Sequence, residues 1–393
     1  MYSFQVQITI LTRTSLSSSR FRSIIAIVPV LATVFVSVRS FIWFGNVALL
    51  SFPLLVIAGC LFHMSLVLLC KWTMIGRYKP GKAKVFSWMF LKWWLVRRVM
   101  AVTILYTWMF DETPFSRFWL RALGARVGNN VSVESPILLE PDLVHIGDDC
   151  VAEFEVQFAT SEIKCGILEL RPTRVGARVK LGTRAILLGG ADIHNGSEVL
   201  SKATVDFYSS TTGNNQVLVG SPAKPDGHTS GKIWLPRRGL IYSLCQMLGC
   251  VLQLFLMAGV VYAGTSIGIT IMNKYGSFGL VIYLGSAFNI IASSIWLVVV
   301  ALLHWLLIPR LKAGKVYEGS WFALRKWFMD RMFLSPLFSY TSQRMLQTSS
   351  TFPWYMQLLG AKIGKKAWLN HPHIRVGVGE YIIASIFMMI LNL

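Results

Sequence analysis

Acidic residues are scarce. The chain has 393 residues, with 18 Asp and Glu against 38 Lys and Arg, a formal net charge of +20, and its first 110 residues contain neither Asp nor Glu. Charged residues are 14% of the chain and hydrophobic ones 54%. That balance argues against the two or three soluble domains the length would allow and for several membrane spans. Cysteine is sparse as well. None of Cys60, Cys70, Cys150, Cys165, Cys245 and Cys250 forms a C-x-x-C pair, which indicates neither a disulfide framework nor a zinc site. They read as small buried hydrophobes in a reducing compartment. No P-loop, dinucleotide fingerprint, nucleophile elbow or metalloprotease motif is present. Most basic residues lie beside apolar runs or Trp, as Lys and Arg do at the cytoplasmic rim of membrane helices. No nucleic-acid partner is expected.

Four apolar segments approach the roughly 20 residues that cross a bilayer as a helix. They are Ser23 to Val38, Val47 to Cys70, a stretch within Leu240 to Met272 and one within Phe278 to Ile308. Arg39 is the cation joining the first pair and Lys274 the second, whereas Arg and Lys crowd the outer flanks, among them Arg13, Arg20, Arg22, Lys71, Arg237, Arg238 and Arg310. The positive-inside rule then places both large polar regions on one cytoplasmic-type side. The Ser- and Arg-rich N-terminus fits either a transit peptide or a tail flanking the first helix.

A module occurs twice. "PGKAKVFSWMFLKWWLVRRVM" from Pro80 aligns without gaps on "AGKVYEGSWFALRKWFMDRMF" from Ala313, and "LGARVGNNVSVESP" from Leu123 on "LGAKIGKKAWLNHP" from Leu359. Each copy follows a pair of spans. Lys92, Trp93, Trp94, Arg97 and Arg98 suit a helix in the headgroup layer, or one packed on the polar domain.

"VGARVKLGTRAILL", Val175 to Leu188, has a period of six. Such hexads, each an aliphatic residue followed by a small or acidic one, mark a parallel β-helix with three short strands per triangular coil. Hexads start at Val127, Val133 and Leu139, slip one residue at His145, and resume at Ile146. After a loop around Glu153 to Arg174 they run through Val175, Leu181, Leu187, Ile193 and Val199. Gly in the second position suits a tight corner with positive φ.

These residues resemble the hexapeptide-repeat acyltransferases, and "VLVGSPAK" (Val217 to Lys224) resembles the segment closing their last coil. The wider arrangement, with "LPRRGL" before the next span, resembles the membrane-anchored terminal region of polylysine-synthetase-type nonribosomal peptide synthetases. The fold implied is a left-handed parallel β-helix between two transmembrane helical hairpins, with a second, incomplete copy of the module. The expected divisions are an N-terminal tail (1–22), hairpin 1 (23–70), basic aromatic interfacial helices (71–122), the β-helix (123–224) and a linker (225–239). Hairpin 2 (240–308), the incomplete copy (309–374) and a hydrophobic tail (375–393) follow.

The implied reaction moves an acyl or aminoacyl group from a thioester, on coenzyme A or a carrier-protein phosphopantetheine, to an amine or hydroxyl. A histidine would act as base, with backbone N–H groups holding the oxyanion. His194 and His145 fall inside the hexads, and Asp148 and Asp149 could orient His145. Arg174, Arg178, Lys180 and Arg184 could hold donor phosphates, or form a solvated basic face. His145 to Asp149 also reads H-x-x-x-D, a coincidental match to peptide-synthetase condensation domains. His63 and His304 lie in spans, and His371 and His373 in the incomplete copy. Two coil histidines are too few for a zinc carbonic-anhydrase site on this fold, and no metal is expected. The bilayer, a carrier protein and self-association through β-helices are the partners implied. A simple acyl-CoA acetyltransferase and a non-catalytic scaffold with a decayed β-helix are the alternatives.

Overall fold

Residues 127 to 223 wind into a three-faced parallel β-helix whose register explains the period of six. The computed structural model describes residues 48–102, 107, 110–211, 213–229, 239–276, 278–308, 320–333, 351–361 and 363. The first apolar segment and the hydrophobic tail lie outside them. Two units are distinguished, one containing Leu54–Arg237 and the other Arg238–Leu393.

The first unit takes α1 (Ala48–Met74) from Leu54 onward, followed by β1 (Gly81–Lys84), α2 (Trp88–Val102) and α3 (Pro114–Ala122). The first coil is β2 (Arg126–Val127), β3 (Ser132–Val133) and β4 (Ile137–Leu138). The second is β5 (Val144–Ile146), β6 (Val151–Ala152) and β7 (Gln157–Ala159). A hairpin, β8 (Ser161–Lys164) and β9 (Ile167–Leu170), then interrupts the winding. The third coil is β10 (Thr173–Val175), β11 (Lys180–Leu181) and β12 (Ile186–Leu188). The fourth is β13 (Asp192–Ile193), β14 (Glu198–Val199) and β15 (Thr204–Val205). β16 (Gln216–Val219) pairs in parallel below β14, and β17 (Lys224–His228) turns back antiparallel on it. The stacked coils resemble a left-handed β-helix.

The core takes two residues per hexad, the first and the fifth: Val127 with Val131, Ile146 with Cys150, Val175 with Val179, Leu181 with Ala185, Val199 with Ala203. Burying these stacked aliphatics supplies the main driving force, about 1.5–3 kcal/mol for each large side chain.

Two details correct the sequence reading. The third face of the first coil is centred on Leu138, paired with Phe158, so the hexad beginning at Leu139 is one residue late. The 3-10 turn Pro141–Leu143 takes up the surplus in the next corner. Residues 153 to 174 are not one loop either. Phe158 is fully buried in β7, and only the β8–β9 hairpin is inserted. Ala152 and Phe158 hid the second coil because one is smaller and the other larger than the expected aliphatic.

The glycine expectation also changes. Gly128, Gly147 and Gly176 do not have positive φ; a Cβ on Gly147 would lie 2.6 Å from the carbonyl carbon of Gly176 in the next coil. Close approach of backbones requires glycine there. The left-handed conformation falls on the fourth hexad position: Asn130, Asp149, Arg178, Glu155, Arg184, Lys202, Gly190 and Gly196.

β1 pairs antiparallel with β9, extending the inserted hairpin to three strands. Tyr78, Trp93, Leu143, Leu168 and Leu170 form a core between this sheet, α2 and the first coil. Trp93 is therefore buried and donates from Nε1 to Glu140 Oε1 at 2.6 Å. Arg97 lies 5.1 Å over the Trp93 ring. This side of α2 faces protein, the second of the two placements its sequence allows.

The second unit holds α4 (Leu240–Tyr275), α5 (Phe278–Leu307), α6 (Trp321–Phe333) and α7 (Thr351–Leu358). Among the described residues, two helical stretches are long and apolar enough to cross a membrane, Ile57–Met74 in α1 and Leu240–Met257 in α4. Ser294–Leu307 in α5 is a shorter apolar stretch. The duplicated segments share local geometry. Ser87 Oγ accepts from Phe90 N before α2, and Ser320 Oγ from Ala323 N before α6, the bond expected of an N-cap. After α3, Gly124 N donates to Arg121 O and Ala125 N to Leu120 O; after α7, Gly360 N donates to Gln357 O and Ala361 N to Met356 O. Both glycines have positive φ.

The cysteines are all free. Cys150 Sγ donates to Gly176 O at 2.9 Å, and burial pushes its pKa up to about 11. Cys165 departs from the buried reading, being exposed in the hairpin turn.

Candidate active site

The last full coil ends the glycine column. His194 occupies the position held by Gly128, Gly147 and Gly176 in the coils above, where the next coil's backbone leaves no room for a side chain. No complete coil follows, so an imidazole fits, and it is exposed.

A loop folded on itself reaches His194. Asp206 Oδ1 accepts from Ser209 N and Oγ, Ser210 Oγ donates to Asp206 O, and Asp192 N donates to Ser210 Oγ. These bonds deliver Thr211, whose Oγ1 is 2.6 Å from His194 N and 2.7 Å from His194 Nδ1. The hydroxyl also donates to Asp192 O at 3.3 Å. A threonine hydroxyl has one proton and two acceptor sites. With the proton on the Asp192 carbonyl, Oγ1 accepts from both His194 N–H groups. In the neutral ring this pattern puts the hydrogen on Nδ1 and leaves the lone pair on Nε2.

His145 stands elsewhere. It is in register with Arg126 on one side and Arg174 on the other, and Arg174 with Asp192. Val127, Ile146, Val175 and Ile193 beside them point inward, so alternation turns Arg126, His145, Arg174 and Asp192 to the outer surface. Burial, then Arg126 and Arg174, lower the His145 pKa below the usual histidine value. Burial and the two guanidinium groups thus favour the neutral form of His145. Two coils separate it from His194, roughly 10 Å at the ordinary strand spacing.

The other expected residues disperse around the coil. Asp148 Oδ1 accepts from Asn129 N at 2.6 Å and Asp149 Oδ1 from Asn130 Nδ2 at 2.8 Å, both in the preceding coil and neither toward His145. Asn195 repeats the device, accepting from Ala177 N. Arg178 is exposed at the same corner. Lys180 lies on the second face, 3.0 Å from Glu198 and 3.6 Å from Glu153. Arg184 pairs with Glu155 at 2.7 Å. Lys180 and Arg184 are thus engaged by carboxylates, whereas Arg126, Arg174 and Arg178 are exposed.

Sequence reading missed Thr211 and Arg126. Arg126 was within reach, since it precedes a core position as His145 and Arg174 do. Thr211 lies 17 residues from His194 in a loop outside the hexads, where no period points to it.

The chain is 33% identical over 195 residues to delta-poly-L-ornithine synthetase of Acinetobacter baumannii (strain AB307-0294). The match covers 47% of this chain and 14% of that protein. Similar solved structures are hexapeptide-repeat acetyltransferases. A maltose O-acetyltransferase from Clostridium difficile 630 is 18% identical, covering 41% of this chain and 97% of its own, with a TM-score of 0.30. A galactoside acetyltransferase in complex with coenzyme A is 15% identical, covering 34% and 80%, with a TM-score of 0.27. No family model matches the chain.

Proposed function

We propose that the chain transfers an acyl or aminoacyl group from a thioester donor to an amine or hydroxyl acceptor. The observation that carries this reading is the His194–Thr211 arrangement. An imidazole whose Nδ1 is hydrogen-bonded to Thr211 Oγ1 leaves Nε2 to take an acceptor proton, as general-base catalysis requires. In this reading Nε2 takes the proton as the acceptor attacks the thioester carbonyl, and returns it to the departing thiolate. Arg126 and Arg174, with His145 between them, would hold the phosphate of a coenzyme A or carrier-borne phosphopantetheine donor two coils away. The similarity to delta-poly-L-ornithine synthetase favours an aminoacyl group on a carrier; coenzyme A is the other donor. The chain spans about a seventh of that relative.

The apolar helices and their flanking cations support a multi-pass membrane protein with the β-helix on the cytoplasmic-type side. A second reading, a non-catalytic scaffold, draws on Asp148, Asp149, Lys180 and Arg184, all engaged in contacts that stabilise the stack.

The test is transfer of labelled groups by reconstituted full chain supplied with acyl-CoA or a carrier-bound aminoacyl thioester. His194→Ala should reduce turnover by roughly 10²–10⁴-fold in protein that still folds. Turnover indifferent to His194 would remove it as the base. No turnover with either donor would favour the scaffold.

A further inference from the structure

The side of α2 opposite Trp93 is open and apolar. Phe86 is 93% exposed and Trp88 71%, and Leu91 and Ile167 are exposed as well. Strand pairing brings two turns to one sheet edge, because Lys84 lies opposite Ile167. Val85 N donates to Gly166 O at 2.8 Å and Ser87 N to Lys84 O at 3.1 Å, fixing the Lys84–Trp88 turn beside the Cys165–Gly166 turn. Phe86 has φ +67°, a conformation unfavourable for a bulky side chain and free to glycine. An aromatic ring kept there, almost wholly exposed, suggests a role for the ring itself.

Cations share this segment of chain with the aromatics. Arg77, Lys79 and Lys84 are exposed, and Lys92 Nζ lies 5.8 Å from the Trp88 ring centroid. No acidic residue occurs between Arg77 and Phe110. The apolar stretch Ile57–Met74 ends twelve residues before Phe86, so the chain ties this edge to that helix through β1. Aromatic tips with basic collars suit the interface of an anionic bilayer, where rings sit at headgroup level and cations meet lipid phosphates.

We propose that the paired turns, Phe86 to Trp88 and Cys165 to Ile167, form a wedge that inserts into the headgroup layer of an anionic membrane beside α1. The wedge sets the height and tilt of the β-helix over the bilayer. It rests on reading α1 as a span and is independent of the transfer reaction.

Nitroxide labels at Phe86→Cys, Ser201→Cys and Leu61→Cys, each in full chain carrying Cys165→Ser, would test it. Vesicles of phosphatidylcholine, with or without phosphatidylglycerol, would hold the protein, and the unsubstituted Cys165→Ser chain would be the labelling blank. Collision with oxygen relative to a water-soluble nickel chelate measures depth. The ratio at position 86 should be severalfold above that at exposed position 201 and below that at 61. Lys84→Gln with Lys92→Gln should lower it in anionic vesicles but not in neutral ones. A ratio at 86 equal to that at 201, with position 61 in lipid, would overturn the wedge. An aqueous position 61 would overturn the span and the wedge together.

Discussion

Lys71 and Asp142 form a buried ion pair between the end of α1 and the first coil of the β-helix. Lys71 Nζ lies 2.9 Å from Oδ2 and 3.1 Å from Oδ1, with both side chains less than 10% exposed. Tyr78 N donates to the same carboxylate, and the Lys71 ammonium lies 3.6 Å from the Trp72 ring centroid. One carboxylate thus ties the apolar helix, the chain leaving it and the coil together. Removing one member of a buried pair strands the other charge. Asp142→Ala should therefore cost about 3–5 kcal/mol, read as a lowered melting temperature in detergent. Lys71→Met with Asp142→Leu should recover most of that loss, because an apolar pair of similar volume replaces a buried ionic one at little cost. If the double variant melts as low as the single one, the hydrogen bond to Tyr78 N is the dominant contact.

Two substitutions at one corner should have opposite consequences. Gly147→Ala places a methyl group 2.6 Å from a backbone carbon of the next coil, and overpacking of that kind costs typically about 1–3 kcal/mol. Arg178→Gly, in the next coil, removes an exposed side chain from a left-handed position. It should leave stability unchanged or raise it by up to about 1 kcal/mol. Thermal unfolding of the two variants is the check.

The corner also shows how far the sequence was legible. Four perfect spacings from Val175 to Val199 gave the fold because consecutive coils must bury aliphatics in the same place. The second coil was less visible, since Ala152 and Phe158 fill the same core with unexpected volumes. The long apolar helices were readable from apolar length, but which side of α2 meets protein was not. Trp93 and Trp88 are five residues apart and equally aromatic; only the tertiary partner Glu140 distinguishes the buried one. His194 was identified as outward-facing, while its partner Thr211 depends on a loop with no repeat.

His145 gives a pH-dependent prediction. Its folded pKa is below the unfolded value of 6.5 because of burial and then Arg126 and Arg174. The unfolded chain therefore binds this proton more readily than the folded one. The contribution to stability is fully present above pH 6.5 and declines as pH falls from there toward and through the folded pKa. Histidine NMR titration should find the His145 midpoint below 6.5. Arg126→Gln or Arg174→Gln should each move it upward, and a midpoint unmoved by both would show that burial alone sets it.

Thr211→Val separates catalysis at His194 from a structural role. Valine keeps the shape but removes the oxygen that accepts from Nδ1 at 2.7 Å. The imidazole then loses the bond that places its hydrogen on Nδ1 and its lone pair on Nε2. If Nε2 is the base, kcat should fall on the order of tenfold or more while KM for the thioester stays near the native value. The reaction would lose proton transfer in the transition state rather than donor binding. Thr211→Ser, which retains the hydroxyl, should restore most of the rate. Equal loss in the serine and valine variants would instead assign Thr211 to loop packing, and kcat unchanged in both would place the base elsewhere on the coil.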